Sequence, residues 1–458
     1  MGRRASLAVL PVLGAIVAGA ALAVSCGSRT GLLLPGQGGQ GGASGSSGSS
    51  GGGSTGPLVV PCNAALQAGA PTPTRGFCTT RANQAAVSGP TAPAVAWNVA
   101  PFPVPTPENY LPAETVVDAS GRIYVAIDAS PMAPAGTQSQ LVTIDADGSS
   151  SSVTPFDAAI SQLSLAADGR LWLVETSPAG ADCPPECGSS LLALTADGPA
   201  SGTPIPSLSS FSLMAISSTG DFFLGSPGLA RVAPGGAVLW QNSFAEFGSA
   251  LVVGPVDDVV SADETYDAAG NQLGDGSGAD LTAVNAQGNI VGLSVGVGIQ
   301  DNGPPSLVVS EPSGNQLLDL SLPAPTFNLD AYQLAVAGDG TMIVLLADEA
   351  TSPGLTKSEL QIIAVDAAGE VLWTTPLSVT LPYDPADLTT HYGLFVDAAG
   401  TVVLTAGSVM GLSLASGAIL WTLAPANPQS CLRPAVLGAG GAIVATQCDG
   451  TVFLARDP

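Results

Sequence analysis

The chain has 458 residues, 46% of them apolar and only 10% charged, with 57 Gly and 38 Pro. That apolar fraction excludes a disordered chain, and the scarcity of charge excludes long solvent-facing helices. A formal net charge of −25 argues against nucleic acid or an anionic lipid surface as a partner. The acidic residues are unevenly placed. All 36 lie at or after Glu108, against six basic residues there: Arg122, Arg170, Arg231, Lys357, Arg433 and Arg456. Such a field keeps a folded body soluble; an acidic, cation-binding face is the competing reading.

At the N-terminus, Arg3 and Arg4 precede an apolar run from Ala5 to Val24. A charged start, a short apolar middle and small residues near its end describe a signal peptide over 1–25. Ala21-Leu22-Ala23 would suit ordinary signal peptidase. Ala23-Val24-Ser25-Cys26 resembles a lipobox, in which Cys26 is lipidated and becomes the first residue, although Ala23 stands where Leu is usual. The chain has seven Cys, and assigning Cys26 to the lipid leaves an even six. Several acyl chains anchor stably. No Asp follows Cys26, which by that resemblance implies the outer membrane, with a periplasmic or surface-facing body. Residues 26–57 then form a tether. Its Gly/Ser portion, 35–57, is a flexible coil with a reach of about 25–30 Å.

Residues 58–93 show no period and read as a loosely structured segment. The six remaining Cys fall into near pairs: Cys62 with Cys78, Cys183 with Cys187, and Cys431 with Cys448. In an exported chain such neighbours are expected to form disulfides, although six Cys allow fifteen connectivities. Cys183-Pro-Pro-Glu-Cys187 could instead be a metal or redox site. Zinc wants about four Cys or His ligands, however, and the chain has one His.

From residue 94 to the end the chain repeats. The cleanest copy is LFVDAAGTVVLTAG (394–407) followed by VMGLSLASGAILWTL (409–423). Each half is an apolar run, a polar turn with Gly, and a second apolar run. Such a half reads as a hairpin, and two hairpins make a four-stranded antiparallel unit. First hairpins recur as VVDASGRIYVA (116–126), LSLAADGRLWLV (163–174), LMAISSTGDFFLG (213–225), a weak LVVGPVDDVVSA (251–262), LTAVNAQGNIVGL (281–293), LAVAGDGTMIVLL (334–346) and VLGAGGAIVATQ (436–447). The steps from Gly121 to Gly441 average about 46 residues, the period of a β-propeller blade. The expected fold is therefore all-β, a propeller of about eight four-stranded blades, with seven possible.

Short apolar strands without strict alternation are buried on both faces, as stacked blades require. Gly236-Ala-Val-Leu-Trp240, Gly369-Glu-Val-Leu-Trp373 and Gly417-Ala-Ile-Leu-Trp421 share one spacing. Each Trp is expected on an outermost strand, wedged between units. The last unit lacks that strand, because GTVFLAR (450–456) is followed only by Asp-Pro. Ala94-Val-Ala-Trp97 would supply it and close the ring, which removes an exposed edge.

The form of IIAVDAAGEVLW (362–373) resembles the repeat of PQQ-like (pyrroloquinoline-quinone-type) β-propellers over 94–458, with three or four good copies. That resemblance implies either a quinone-dependent dehydrogenase or a non-enzymatic envelope lipoprotein. The dehydrogenases use an adjacent-Cys ring, a calcium ion and a catalytic Asp. This chain has no adjacent Cys pair, and its Asp residues sit mostly in turns.

A metal-dependent hydrolase or lyase at the central channel is the alternative. The one His, His391, lies beside Tyr392 just before a strand and reads as structural. Gly276-Ser-Gly278-Ala-Asp280-Leu281 looks like half of a calcium-binding nonapeptide, but a single copy reads as a turn. The expectation is thus no enzyme, no cofactor, no metal site and no catalytic residue. The body would be a binding or scaffold module for an unidentified envelope protein. Its longer loops, at 126–140, 175–190, 294–306, 347–359 and 376–391, are the places for a partner.

Overall fold

The computed structural model describes residue 62 and residues 64–458, apart from 102–109, 130–137, 177–188, 196–197, 200–202, 205–210, 212, 226–227, 243–250, 261–263, 276–277, 296–303, 326–328, 330, 349–355, 382–391 and 429. Among the described residues the strands form eight antiparallel sheets. Seven follow the chain in order, and the first consists of Tyr110–Val117, Ile123–Ala129, Ser139–Ile144 and Ser151–Phe156. The second sheet has a divided outer edge, made by the two-residue strands Gly198–Pro199 and Thr203–Pro204. Pro and Gly there interrupt a ladder that the other sheets extend over more residues.

The eighth sheet is composite. Val436–Leu437, Ile443–Thr446 and Val452–Arg456 come from the C-terminal end, and Ala94–Val99 is its fourth strand. In that pairing Trp97 faces Leu454 and Val99 faces Val452.

Burial follows position in the sheet. The second strands are the most buried, and Phe222–Gly225, Met342–Ala347 and Ile443–Thr446 are buried throughout. Outermost strands such as Val238–Asn242 and Val371–Leu381 alternate between half-buried and exposed. Neighbouring sheets touch on both faces near the axis and splay apart outward, so only the inner strands must be apolar on both sides.

Apolar clusters join each sheet to the next. Val116, Leu141, Leu163 and Leu173 join the first to the second, and Trp172 with Phe222 joins the second to the third. The series continues round to Phe395, Val403, Leu437 and Phe453 between the seventh and eighth. Val117, Val125, Val444 and Leu454 then join the eighth to the first. Each such fully buried aliphatic side chain contributes about 1.5–3 kcal/mol.

The outer tryptophans show how adjacent sheets interlock. Trp240 donates its indole N–H to the Ala268 carbonyl at 2.9 Å, and Trp373 donates to that of Leu414 at 2.7 Å. Trp97 does the same to Ala146 at 3.3 Å. Each acceptor lies in the turn between the third and fourth strands of the next sheet. Each ring also lies on a turn glycine: a Cβ on Gly148, Gly270 or Gly417 would come within 2.8, 2.7 or 2.5 Å of the indole.

Trp421 departs from this pattern. It is buried across Gly411 of its own sheet, and its N–H has no hydrogen-bond partner among the described residues. The neighbouring eighth sheet has no turn between its third and fourth strands, because those strands come from opposite ends of the repeat region. Trp421 therefore has no turn carbonyl to reach.

Candidate functional site

The innermost strands of the eight sheets surround the axis, where a propeller ordinarily offers a channel. Their backbones leave N–H and C=O groups facing that space, and these need partners. Here the partner is the chain itself. Residues 64–88, expected to be loosely structured, instead run around the inner rim and bond to it.

Ala65 N–H donates to Ser217 O of the third sheet's turn, and Gln67 N–H donates to Leu165 O of the second. Leu165 N–H donates to Pro73 O, and Val117 N–H of the first sheet donates to Thr72 O. The Thr72 hydroxyl reaches Leu437 O of the eighth at 2.7 Å. The chain then crosses over. Val253, Val284, Val336 and Val396, from the fourth to the seventh sheets, donate to Thr79, Thr80, Ala82 and Asn83 at 2.7–2.9 Å. Cys62–Cys78, with Cα atoms 5.7 Å apart, joins the two arms of this path.

The segment suits a narrow space. Thr72, Thr80, Ala82 and Ala85 are small and almost fully buried. Phe77, Arg81 and Asn83 have φ of 65°, 52° and 50°. This left-handed region disfavours side chains, above all one as bulky as Phe, and is held only where surroundings impose it. The tight curve at the crossing imposes it here. The backbone–backbone bonds fall at the ends of the innermost strands next to the short turns, so the segment occupies the mouth on that side.

A polar group of residues sits beneath it. Arg81 is buried and donates to Gln162 Oε1 at 3.2 Å. Glu114, also buried, accepts from Leu163 N–H at 2.8 Å and Arg75 N–H at 3.2 Å. A bulge between Ser161 and Ser164, with Gln162 at φ 56°, turns both of these groups of the second sheet toward the axis. Burial lowers the Arg81 guanidinium to about 10, and the neighbouring Arg75 adds to the shift. Burial raises the Glu114 carboxyl, while Arg75 and Arg81 pull it back down.

A carboxyl raised in the fold binds its proton more tightly there than in the unfolded chain. Its contribution is therefore most favourable below the ordinary carboxylate pKa and is lost as pH rises through the folded value. Glu114→Gln removes that titration. In urea unfolding, the stability of the parent relative to this variant should fall from pH 4 to pH 7. A flat difference would mean that the fold leaves the Glu114 carboxyl at its unfolded pKa, and a rise would mean that it is held ionised.

Several of the acidic residues elsewhere are turn residues. Asp118, Asp267, Asp366 and Asp397 each accept backbone N–H groups two and four positions on, the pattern of an Asx turn. Asp280 accepts Val295 N–H at 2.8 Å, tying a turn to a strand end; Gly276 lies outside the described residues. Among the described residues no group of three or more His, Cys, Asp or Glu could hold a metal.

Cys431–Cys448, with Cα atoms 5.2 Å apart, links the entry to the eighth sheet with the turn after Thr446. Cys26, Cys183, Cys187 and His391 lie outside the described residues. Tyr392 is buried, with its hydroxyl 2.7 Å from that of Ser358. No described helix is long and apolar enough to cross a membrane.

The plug was missed because it has no period. A charge signal was present: residues 58–93 hold Arg75 and Arg81 and no acid, while the body after them holds 36 acidic residues.

No protein-family model matches the chain, and no curated protein matches it in sequence. Solved structures do resemble it. A streptogramin B lyase is 11% identical with a TM-score of 0.43, over 79% of this chain and 97% of that one. BamB from Moraxella catarrhalis is 13% identical with a TM-score of 0.35, over 80% of this chain and 100% of that one. A protein of unknown function from Bacteroides caccae is 11% identical with a TM-score of 0.26, over 48% and 62%. At such identities and TM-scores neither chemistry nor partner carries over to this chain.

Proposed function

We propose that this protein is an exported, lipid-tethered β-propeller that acts as a non-catalytic binding or scaffold module in the cell envelope. The observation that carries this reading is the plugged channel. Residues 64–88 occupy the rim where a propeller enzyme would gather its carboxylates or metal. The charged groups packed there, Arg81 and Glu114, already bond within the protein. The resemblance of the repeat to PQQ-like propellers agrees with the non-enzymatic lipoprotein side of that group. Cys26 would carry the lipid and residues 26–57 the tether to an outer membrane. An envelope protein would dock on the face of the longer connections, opposite the Asx turns.

The test is photo-crosslinking in cells. Crosslinkers placed within 294–306 and 347–359 are compared with crosslinkers at Asp147 and Asp366 in the opposite turns. One recurrent envelope protein should appear from the long connections only. Cys26→Ser should move the body out of the membrane fraction. No adduct from either face, together with a stoichiometric divalent ion in the purified chain, would favour the metal-dependent hydrolase instead.

A further inference from the structure

The outer edge of the sixth sheet differs from those of the other sheets. That sheet consists of Ala331–Val336, Met342–Ala347, Thr356–Val365 and Val371–Leu381. Its outermost strand has 11 residues, while the outer strands of the other sheets have 6 or fewer. The extra length comes from pairing of Thr356–Glu359 with Ser378–Leu381, beyond Leu360, where the second strand stops. After a bulge at Leu372 the register runs unbroken from Trp373 to Leu381.

One face of this strand is fixed. Trp373, Leu377, Val379 and Leu381 pack toward the seventh sheet, and the Thr375 hydroxyl donates to Gly417 O at 3.1 Å. The far end is braced: a Cβ on Gly407 would come within 2.5 Å of the Thr380 carbonyl oxygen. Thr374, Pro376 and Ser378 are exposed, and among the described residues no strand pairs with this edge.

A free sheet edge is a row of unpaired N–H and C=O groups, which proteins blunt with charges, bulges and short lengths. Between Val371 and Leu381 there is no Asp, Glu, Lys or Arg, in a chain with 36 acidic residues. Length, regular register and lack of charge leave a template for one more strand. Pro376 has no N–H to give the third strand. As is usual for a Pro in an edge strand, this sets the bonding groups of Thr374, Pro376 and Ser378 on the free side.

We propose that this edge takes an extended, basic segment of the envelope partner as a fifth strand. The proposal rests on the scaffold reading and names how that partner is held. What fills the edge must itself be a strand, because what the edge lacks is a ladder. Charge decides whose strand it is. Glu370 and Glu359, both exposed, stand at the two ends of the free stretch, and Glu359 accepts the Ser378 hydroxyl at 2.9 Å. The chain's one Lys, Lys357, pairs with Thr380 beyond that stretch. A partner strand with Lys or Arg toward its ends complements these carboxylates. A second copy does not. It brings a further net charge of −25, and a symmetric antiparallel pair would set Pro376 against Pro376.

The test places photo-crosslinkers in cells at Leu372 and Ser378, with Thr422 of the seventh sheet's outer strand, Ile419–Leu423, as control. Leu372 and Ser378 should give the same envelope protein as the long connections, and Thr422 should not. The crosslinked stretch is mapped by mass spectrometry and made as a synthetic peptide. It should carry Lys or Arg and bind the purified full chain. Thr374→Pro removes a donor on the free side and spares the inner ladder. It should weaken that peptide about tenfold or more, at unchanged thermal unfolding. Thr374→Lys keeps the backbone and sets a positive charge against the basic segment. It should weaken binding too, which protects the test if Thr374→Pro folds poorly. An adduct from 294–306 or 347–359 but none from Leu372 or Ser378 would leave the scaffold reading standing and overturn this one. Adducts with a second copy, equal adducts from Thr422, or peptide affinity unchanged in both variants would overturn it as well. No adduct from any of these positions would overturn both.

Discussion

Excising residues 64–88 should leave a protein that does not fold cooperatively at 25 °C. Among the described residues this segment shares eleven backbone hydrogen bonds with the sheets around it. At a net contribution of about 1 kcal/mol each, they total on the order of 10 kcal/mol. That is comparable with the entire stability of a typical domain, about 5–15 kcal/mol. The loss of buried Phe77, Ala82 and Ala85, and of the Arg81 and Glu114 arrangement, adds to it. Removal also leaves rim carbonyls and N–H groups of several sheets without partners. Calorimetry and circular dichroism on the excised chain would read this directly. Shortening the Gly/Ser stretch 35–57 is the control, because it changes only the tether. An excised chain that unfolds at the parent temperature would show that the rim is held by the sheets alone.

Replacing Ala94–Val99 with a Gly/Ser stretch of equal length should have the next largest effect. The replacement keeps the plug connected but removes the fourth strand of the eighth sheet. It strips Val452–Arg456 of its ladder partner and Gly148 of the Trp97 ring. Truncating a packed Trp alone destabilises by about 3–5 kcal/mol when it is fully buried, and Trp97 is only half-buried. The lost ladder raises the total to the same order. The exposed edge should also pair with a second copy. Light scattering after size exclusion should therefore show dimers or larger species, together with a melting temperature lower by about 5 °C for a loss of this size. A monomer with unchanged melting would mean that the last sheet is stable with three strands.

The repeat was readable because its signals are local. Asp-x-x-Gly turns satisfy their own backbone, as Asp366 does with Ala368 and Glu370, so the turn residues are visible in any one copy. Strand burial was readable for the inner strands, where both faces touch neighbours. It was less readable for outer strands such as Val371–Leu381, whose alternation depends on how far adjacent sheets splay. The shared spacing of Trp240, Trp373 and Trp421 placed all three on outer strands. It could not show that Trp421 lacks a turn to dock on, because that depends on which ends of the chain meet in the eighth sheet.

The path of residues 64–88 belongs to the same class. Thr72 bonds to Leu437, 365 positions away, and Asn83 to Leu334, 251 positions away. Nothing in a stretch of Ala, Thr and Pro encodes those partners.

What the amino-acid order determined by itself was the unit: hairpins with self-satisfied turns, apolar ribbons that cannot stand alone, and a period long enough for four strands. Hydrogen bonds and turn preferences within a few residues are enough for that. What only the tertiary structure decided was the centre. A chain segment covers one mouth of the axis because the eight sheets leave matching backbone groups there. That depends on distances between residues far apart in the chain, which no local pattern carries.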